Sequence, residues 1–237
     1  MEEEKQVDFS IDRFSQVHPS FGGYKAIFLG DSCAGKTSLL KRFVDGNYEM
    51  HRPTTIGYEY MTCTFNLKNE ITPSVNNVHS TKKVKLNIWD TPGELKFRSM
   101  PKQFIRDSHI IVICYDLTSK DSFDNIKEWM EVVEQYLQQG EYLLYFCECK
   151  SDLENDREVG ARDIKQLEKE FSTKVFSTSA KENAGIQAMF TEIMHDVRES
   201  SIFVKNRGTF CLSSSSSKSE ESPQTYYQIL KGSCCST

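Results

Sequence analysis

Short apolar runs alternate with amphipathic segments through the middle of the chain. Apolar runs that end at glycine or polar residues predict strands, and apolar residues at helical spacing predict helices. The predicted strands cover residues 24–29, 58–67, 84–89, 109–115, 142–147 and 174–177. The predicted helices cover residues 36–43, 122–137, 161–171 and 186–197.

This order of elements predicts an α/β fold with a mostly parallel six-stranded sheet and helices on both faces. The segments 58–67 and 84–89 follow one another without a helix, so they are expected to form an antiparallel hairpin. Ligands of such sheets bind at the carboxyl ends of the strands. The motifs that carry chemistry in this chain fall at those ends.

Composition divides the chain into three regions. Residues 1–22 are polar and are predicted to form a flexible N-terminal extension, and residues 23–204 carry the folded domain. Residues 205–237 contain too few large apolar residues to bury a core, which predicts a disordered serine-rich tail. The long polar connection 68–83 between two predicted strands is interpreted as mobile.

Composition also argues against several classes of protein. The net charge of −5 argues against a general nucleic-acid binder. The longest apolar run, 110–115, is far shorter than the roughly 20 residues of a bilayer span. The acidic N-terminus lacks the apolar segment of a signal peptide, so a cytosolic chain with reduced thiols is expected. Cys147 and Cys149 have no second close pair, which argues against a zinc site.

Residues 30–37 (GDSCAGKT) match the phosphate-loop pattern G-x-x-x-x-G-K-[ST] between a predicted strand and a predicted helix. Lys36 is expected to bring charge to the β- and γ-phosphates, and Thr37 to offer a hydroxyl to Mg²⁺. Asp90 ends a neighbouring strand and is the expected second Mg²⁺ anchor. The motif alone does not choose between ATP and GTP. The candidate nucleotide-binding residues of this loop are Gly30, Ser32, Cys33, Ala34, Gly35, Lys36, Thr37 and Ser38.

Residues 89–100 (WDTPGELKFRSM) resemble the second switch region of the Rab branch of the small GTPases, and Tyr48 with residues 54–57 (TTIG) resembles the first. The resemblance implies the small G-domain of the P-loop NTPases, with GTP or GDP and Mg²⁺ as cofactors. It implies that Thr55 joins Thr37 and Asp90 around Mg²⁺. It also implies that the Gly93 N–H reaches the γ-phosphate and that Tyr48 lies against guanine. Loss of the γ-phosphate would release both loops.

The base-reading sequence departs from the family pattern. Cys149, Lys150 and Asp152 stand in a Cys-Lys-Ser-Asp sequence where the family has Asn-Lys-x-Asp. Asp152 is expected to accept hydrogen bonds from guanine, and Lys150 to lie along the base. Cys149 lacks the amide that ties this loop to the phosphate loop, which predicts a loss of about 1–3 kcal/mol in nucleotide binding. The remaining residues of the base site are Ser179, Ala180 and Lys181.

Glu94 stands where the family has the glutamine that orients the attacking water. An ionised glutamate only accepts hydrogen bonds and brings negative charge toward the γ-phosphate. With Lys36 and Gly93 it forms the candidate catalytic set, and slow GTP hydrolysis is expected. The main interpretation is a Rab-like GTPase switch in vesicle-mediated membrane traffic. The alternatives are a nucleotide-dependent scaffold with little or no GTPase activity and an ATP-dependent kinase, which Asp152 disfavours.

Cys234 and Cys235, close to the C-terminus, resemble the doubly geranylgeranylated ending of Rab proteins. Two lipid chains hold a protein on a membrane where one binds only reversibly. A monomer is therefore expected on the cytoplasmic face of an intracellular membrane, cycling with the cytosol. The resemblance also implies effectors, an exchange factor and an activating protein that bind both switch regions.

Overall fold

The structure is a computed structural model that describes residues 8–10, 23–68, 81–93 and 102–200. The strands are β1 Asp8–Ser10, β2 Tyr24–Leu29, β3 Glu59–Lys68, β4 Thr81–Asp90, β5 Ile110–Asp116, β6 Leu143–Cys149 and β7 Val175–Ser177. The helices are α1 Lys36–Asp45, α2 Lys102–Ile105, α3 Lys120–Asp124, α4 Ile126–Glu134, α5 Ala161–Phe171 and α6 Ile186–Glu199, with a 3₁₀ helix at Ser151–Asp156.

The strands form one sheet in the order β1-β3-β4-β2-β5-β6-β7. Strands β4, β2, β5, β6 and β7 pair in parallel, and β3 and β4 form the predicted antiparallel hairpin. The α/β fold with its mostly parallel sheet of six predicted strands is therefore confirmed. A seventh strand, β1, pairs antiparallel with the outer edge of β3. It comes from the segment expected to be a flexible extension, and the division into three regions otherwise stays a prediction.

Different helices cover the two faces of the sheet. Successive strand residues point to opposite faces. Along β2, Ala26 and Phe28 belong to the core that contains α1 and α6, and Ile27 and Leu29 belong to the core that contains α4 and α5. The sheet is thus buried on both sides, which is the arrangement that near-continuous apolar strands require.

The predicted helix 122–137 is divided in the structure. Helix α3 begins after Ser119, whose hydroxyl accepts a hydrogen bond from the Ser122 N–H, and α4 follows after Asn125. Asn125 keeps right-handed helical dihedral angles, so α4 follows α3 directly. No helix among the described residues is both long and apolar enough to cross a bilayer.

Candidate functional site

The phosphate loop joins the end of β2 to the start of α1. Gly30 has φ of +129°, and a Cβ there would lie 2.0 Å from the Cys114 carbonyl oxygen. Gly35 has φ of +105° and is the N-cap of α1. Both positions need the left-handed conformation that glycine adopts readily. The predicted glycines therefore shape the loop, and the N-terminal N–H groups of α1 end at its concave side.

Lys36 is buried inside this loop. Its ammonium donates hydrogen bonds to the carbonyl oxygens of Gly30, at 2.6 Å, and Asp31, at 2.7 Å. Burial lowers the pKa of Lys36 below its usual range. The acceptors of these two hydrogen bonds are neutral carbonyl groups. Because an uncompensated buried charge is costly, an anion bound in the loop would stabilise the Lys36 ammonium.

Three oxygen-bearing side chains meet beside the loop. The Thr37 hydroxyl donates to Asp90 Oδ2 at 2.6 Å, and the Thr55 hydroxyl lies 2.7 Å from that of Thr37. Asp90 is fully buried, and burial raises its pKa to about 6. Its Oδ1 has no hydrogen-bond partner among the described residues. A buried carboxylate oxygen left open beside two hydroxyls fits the oxygen ligands that Mg²⁺ takes.

The turn after β4 packs directly on the phosphate loop. Thr91 donates to the Phe28 carbonyl oxygen at 2.7 Å. A Cβ on Gly93 would lie 2.2 Å from the Ser32 backbone nitrogen and 2.3 Å from the Asp31 carbonyl carbon. The Gly93 backbone can approach the loop this closely only because the residue has no side chain. Glu94, the next residue, lies outside the described residues.

Two adjoining cavities lie along this edge of the sheet. One, of about 310 Å³, borders the phosphate loop, the segment 48–55 and Gly93. The other, of about 250 Å³, borders the two base-site segments. Both cavities are lined by Gly35, Ser38, Tyr48, Met50 and Lys150.

Most of the predicted site residues line one or both of these cavities. The first cavity is lined by Ser32, Cys33, Gly35, Lys36, Thr37, Ser38, Tyr48, Thr55, Gly93 and Lys150. The second is lined by Gly35, Ser38, Tyr48, Cys149, Lys150, Asp152, Ala180 and Lys181. Gly30 and Ala34 lie in the loop itself, and Ala34 is buried. Cys234 and Cys235 lie outside the described residues.

The base-site carboxylate is held in place by its neighbours. Asp152 Oδ1 accepts a 2.7 Å hydrogen bond from the Ser179 hydroxyl, and Oδ2 lies 3.7 Å from the Lys181 ammonium. Lys150, in a left-handed conformation, forms an ion pair with Asp116 at the end of β5. The contacts with Ser179 and Lys181 hold the Asp152 carboxylate, and Asp152 lines the second cavity.

Cys149 forms part of the floor of the second cavity. Its Sγ lies 3.9 Å from the Cys147 sulfur, and a Cβ on Gly35 would lie 3.1 Å from the Cys149 Cβ. Among the described hydrogen bonds, none joins the Cys149 side chain to the phosphate loop. The expected weakening of nucleotide binding at this position stays a prediction.

A buried ion pair closes the base-site loop at its far end. Glu148, only 2% exposed, accepts hydrogen bonds from both terminal nitrogens of Arg157, at 2.7 and 2.8 Å. We call this pair the Glu148–Arg157 clip. It joins the last residues of β6 to the residue after the 3₁₀ helix, so residues 149–156, which carry Lys150 and Asp152, are held between its ends.

Two residues of the site were missed by the sequence reading. Asp31 accepts hydrogen bonds from Asn125 Nδ2, at 2.7 Å, and Trp129 Nε1, at 2.8 Å, which ties the phosphate loop to α4. Arg42 donates to the Ala180 carbonyl oxygen at 2.6 Å. Both partners are more than 90 residues away along the chain, so only an unusual charge within the motif could have drawn attention to Asp31.

The chain matches the family model described as the Ras family over residues 25–199. The Ras-related protein RabC of Dictyostelium discoideum is 34% identical over 174 residues, which are 73% of this chain and 83% of that protein. The Ras-related protein Rab-26 of Rattus norvegicus is 35% identical over 191 residues, 77% of this chain and 70% of that protein. The GTP-binding protein ypt1 of Schizosaccharomyces pombe is 30% identical over 212 residues, 90% of this chain and 96% of that protein.

Proposed function

The chain belongs to the Ras family, as a divergent Rab-like small GTPase, and we propose that it is a GTP-binding switch that hydrolyses GTP slowly and regulates vesicle-mediated membrane traffic. The observation that carries the proposal is the pair of adjoining cavities, one beside a phosphate loop and one beside a fixed carboxylate. Together they match a ligand that has several phosphates at one end and a guanine base at the other.

Guanine recognition is assigned to the second cavity. Asp152 would accept hydrogen bonds from the two N–H groups of the guanine edge, which adenine cannot offer in the same arrangement. The Ala180 backbone N–H would donate to the guanine carbonyl, and Lys150 and Tyr48 would pack along the base. Arg42 supports this arrangement, because its guanidinium holds the Ala180 carbonyl and lies 5.8 Å from the Tyr48 ring centre.

Thr37, Thr55 and Asp90 are the residues that would hold Mg²⁺. The unpartnered Oδ1 of Asp90 supports this assignment, because a divalent cation is the partner that a buried carboxylate oxygen lacks here. When bound, the ion would neutralise part of the phosphate charge. The protein's own contribution is the Thr37 hydroxyl, whose hydrogen bond to Asp90 favours the ionised carboxylate against the effect of burial.

Hydrolysis is assigned to Lys36, Gly93 and Glu94. Lys36 would stabilise the charge on the phosphates, and the Gly93 N–H would hold the γ-phosphate. Ionised Glu94 can accept a hydrogen bond from water but cannot donate one to the phosphate. We therefore expect it to orient the water poorly. Each tenfold decrease in rate corresponds to about 1.4 kcal/mol in the barrier. If Glu94 cannot orient the water at all, the protein would bind GTP without hydrolysing it, which is the scaffold alternative.

Regulators and effectors would read the first switch segment. Met50 and Ile56 are 67% and 92% exposed, and they are the large hydrophobic residues most open to solvent in the described chain. Ile56 adjoins Thr55, so a change in the contact between Thr55 and the γ-phosphate would move an apolar side chain that partners can bind.

Membrane attachment is assigned to the tail. Geranylgeranyl groups on Cys234 and Cys235 would hold the protein on the cytoplasmic face of an intracellular membrane. Extraction of the lipid groups from the membrane would return the protein to the cytosol. After incubation with a geranylgeranyl transferase and lipid donor, the protein should partition into detergent. The double variant Cys234→Ser/Cys235→Ser should stay in the aqueous phase, and equal partitioning of the two proteins would exclude the assignment.

The first experiment is extraction of the purified full-length chain to identify its bound nucleotide. Single-turnover hydrolysis of GTP with Mg²⁺ follows. Guanine nucleotide with measurable turnover supports the proposed switch. Bound GTP that persists unchanged, or a nucleotide-free protein, supports the scaffold, and bound ATP contradicts the guanine assignment.

Two variants sharpen this experiment. Glu94→Gln should raise the hydrolysis rate, because a glutamine both accepts from the water and donates to the phosphate. Glu131→Gln, at an exposed position on α4, makes the same chemical change away from the site and should leave the rate unchanged. Equal rates for the wild type and both variants would remove Glu94 from the catalytic set.

A further inference from the structure

Three cysteine side chains converge beneath the phosphate loop. Cys114 on β5 is the register partner of Cys147 on β6. Cys149 points to the same side of the sheet as Cys147, because alternate residues of a strand share a face. The three Sγ atoms lie within 4.8 Å of one another, and all three residues are buried. We propose that this cluster is a binding site for a thiophilic divalent metal ion, with Zn²⁺ as the ion that fits it best.

The spacing of the sulfurs fits three of the four ligands of a tetrahedral zinc site, with water as the fourth ligand. With a Zn–S distance of about 2.3 Å, three sulfurs around one ion lie about 4 Å apart. Cys147 Sγ and Cys149 Sγ are 3.9 Å apart, and the other pairs exceed the ideal separation by less than about 1 Å. Small rotations of the side chains would bring the three sulfurs to the separation that one zinc ion requires. The two strands therefore already place the sulfurs close to the positions of metal ligands.

The chemistry of the cluster selects the class of ion. Thiolates bind soft or borderline ions, and they exclude Mg²⁺ and Ca²⁺, which take oxygen ligands. Three thiolates around a divalent ion leave one net negative charge in the protein interior. The buried Lys36, next in the chain to the Gly35 that packs on Cys149, offsets part of that charge, whereas a monovalent ion such as Cu⁺ would leave a second negative charge in the interior.

A hydroxyl beside the cluster completes its surroundings. Thr178 Oγ1 lies 3.2 Å from the Cys147 sulfur and 3.1 Å from the Glu148 carbonyl oxygen, to which it donates; rotation of the hydroxyl would let it donate to a Cys147 thiolate instead. Partners of this kind orient metal ligands and strengthen binding. Cys149 lines the second cavity, so an ion would reach the sulfurs through the cavity floor. Sequence spacing missed the site because Cys114 comes from a neighbouring strand.

The inference is independent of the proposed function. A bound ion would join Cys149 to Cys114, and it would fix the base-site loop to β5 in place of the amide tie that the cysteine cannot make. It therefore gives the cysteine at this position a structural use, whether or not the protein hydrolyses GTP.

The test uses the full chain with Cys211, Cys234 and Cys235, which lie outside the described residues, replaced by serine, and the protein is kept under a phosphine reductant. Co²⁺ is titrated first, because cobalt–thiolate absorption reports sulfur ligands directly. Zn²⁺ is then measured by competition with a chromogenic chelator. We expect one equivalent of metal and a cobalt–thiolate band. Cys147→Ser should weaken binding more than about 100-fold, since even loss of a supporting partner costs about 10–100-fold.

Cys63→Ser is the matched control, because Cys63 is equally buried but lies on β3 outside the cluster. It should keep the full affinity. Circular dichroism checks the fold of each variant, and Cys114→Ala replaces Cys147→Ser if the latter fails to fold. Absence of the cobalt–thiolate band in the reference protein would overturn the proposal, as would one-equivalent binding that survives in both cluster variants.

Discussion

Replacing Arg157 with methionine breaks the Glu148–Arg157 clip while keeping a side chain of similar length. Glu148 would keep only hydroxyl partners, Ser177 at 3.0 Å and Tyr115 at 3.3 Å. Removing one partner of a buried ion pair costs about 3–5 kcal/mol. Because the Arg157 side chain is 23% exposed, water already weakens part of this interaction. We therefore expect a loss of about 3 kcal/mol in the free energy of unfolding.

Urea unfolding followed by circular dichroism measures this loss, and the release of a fluorescent GDP analogue measures the effect on the site. We expect faster release, because residues 149–156 lose the clip that joins the two ends of the segment. Arg162→Met, on the exposed side of α5, should change stability by less than about 0.5 kcal/mol. Glu148→Gln combined with Arg157→Met should be more stable than Arg157→Met alone. A loss below about 1 kcal/mol in the single variant, or no gain in the double variant, would refute the argument.

Three further variants test the site. Cys149→Asn should restore the amide tie and slow release of the GDP analogue by about 10- to 100-fold, and an unchanged release rate would show that the tie is not formed. Gly93→Ala should weaken GTP more than GDP in equilibrium titrations, because its Cβ would lie 2.2 Å from the Ser32 nitrogen; equal weakening would contradict the contact with the γ-phosphate. Asp31→Ala should lower the free energy of unfolding by about 1–3 kcal/mol and shift the fluorescence of Trp129, whose indole N–H loses its acceptor. An unchanged spectrum would contradict that contact.

The sequence predicted the elements whose pattern is local. Helix α5, Ala161–Phe171, and strand β2, Tyr24–Leu29, have the predicted bounds because their apolar periodicity is complete within the segment. Strand β1, Asp8–Ser10, was missed because its three residues have no periodicity of their own. Its strand conformation depends on pairing with β3, more than 50 residues later in the chain, which no local pattern records.

The same division holds for the candidate site. The fixed spacing of one motif singled out Lys36 and Thr37, and the end of a strand singled out Asp90. The structure brings Thr37 and Asp90 together, and their roles stay predictions. The thiols of Cys114 and Cys147, and the carboxylate of Asp31, were not assigned a role. Their partners come from other strands and helices, so their surroundings exist only after the sheet has formed.

The shared wall of the two cavities makes the site act as a two-part clamp. A nucleoside alone or pyrophosphate alone would fill one cavity and would contact Tyr48 and Lys150 from that cavity only. A nucleotide that spans both cavities would contact Tyr48 and Lys150 from both sides, so that binding of its second part would have a high effective concentration. Guanosine and pyrophosphate together should therefore bind far more weakly than GDP, although they offer nearly the same functional groups. Chemical fragments that fill one compartment would gain most of their affinity when they are joined across Gly35.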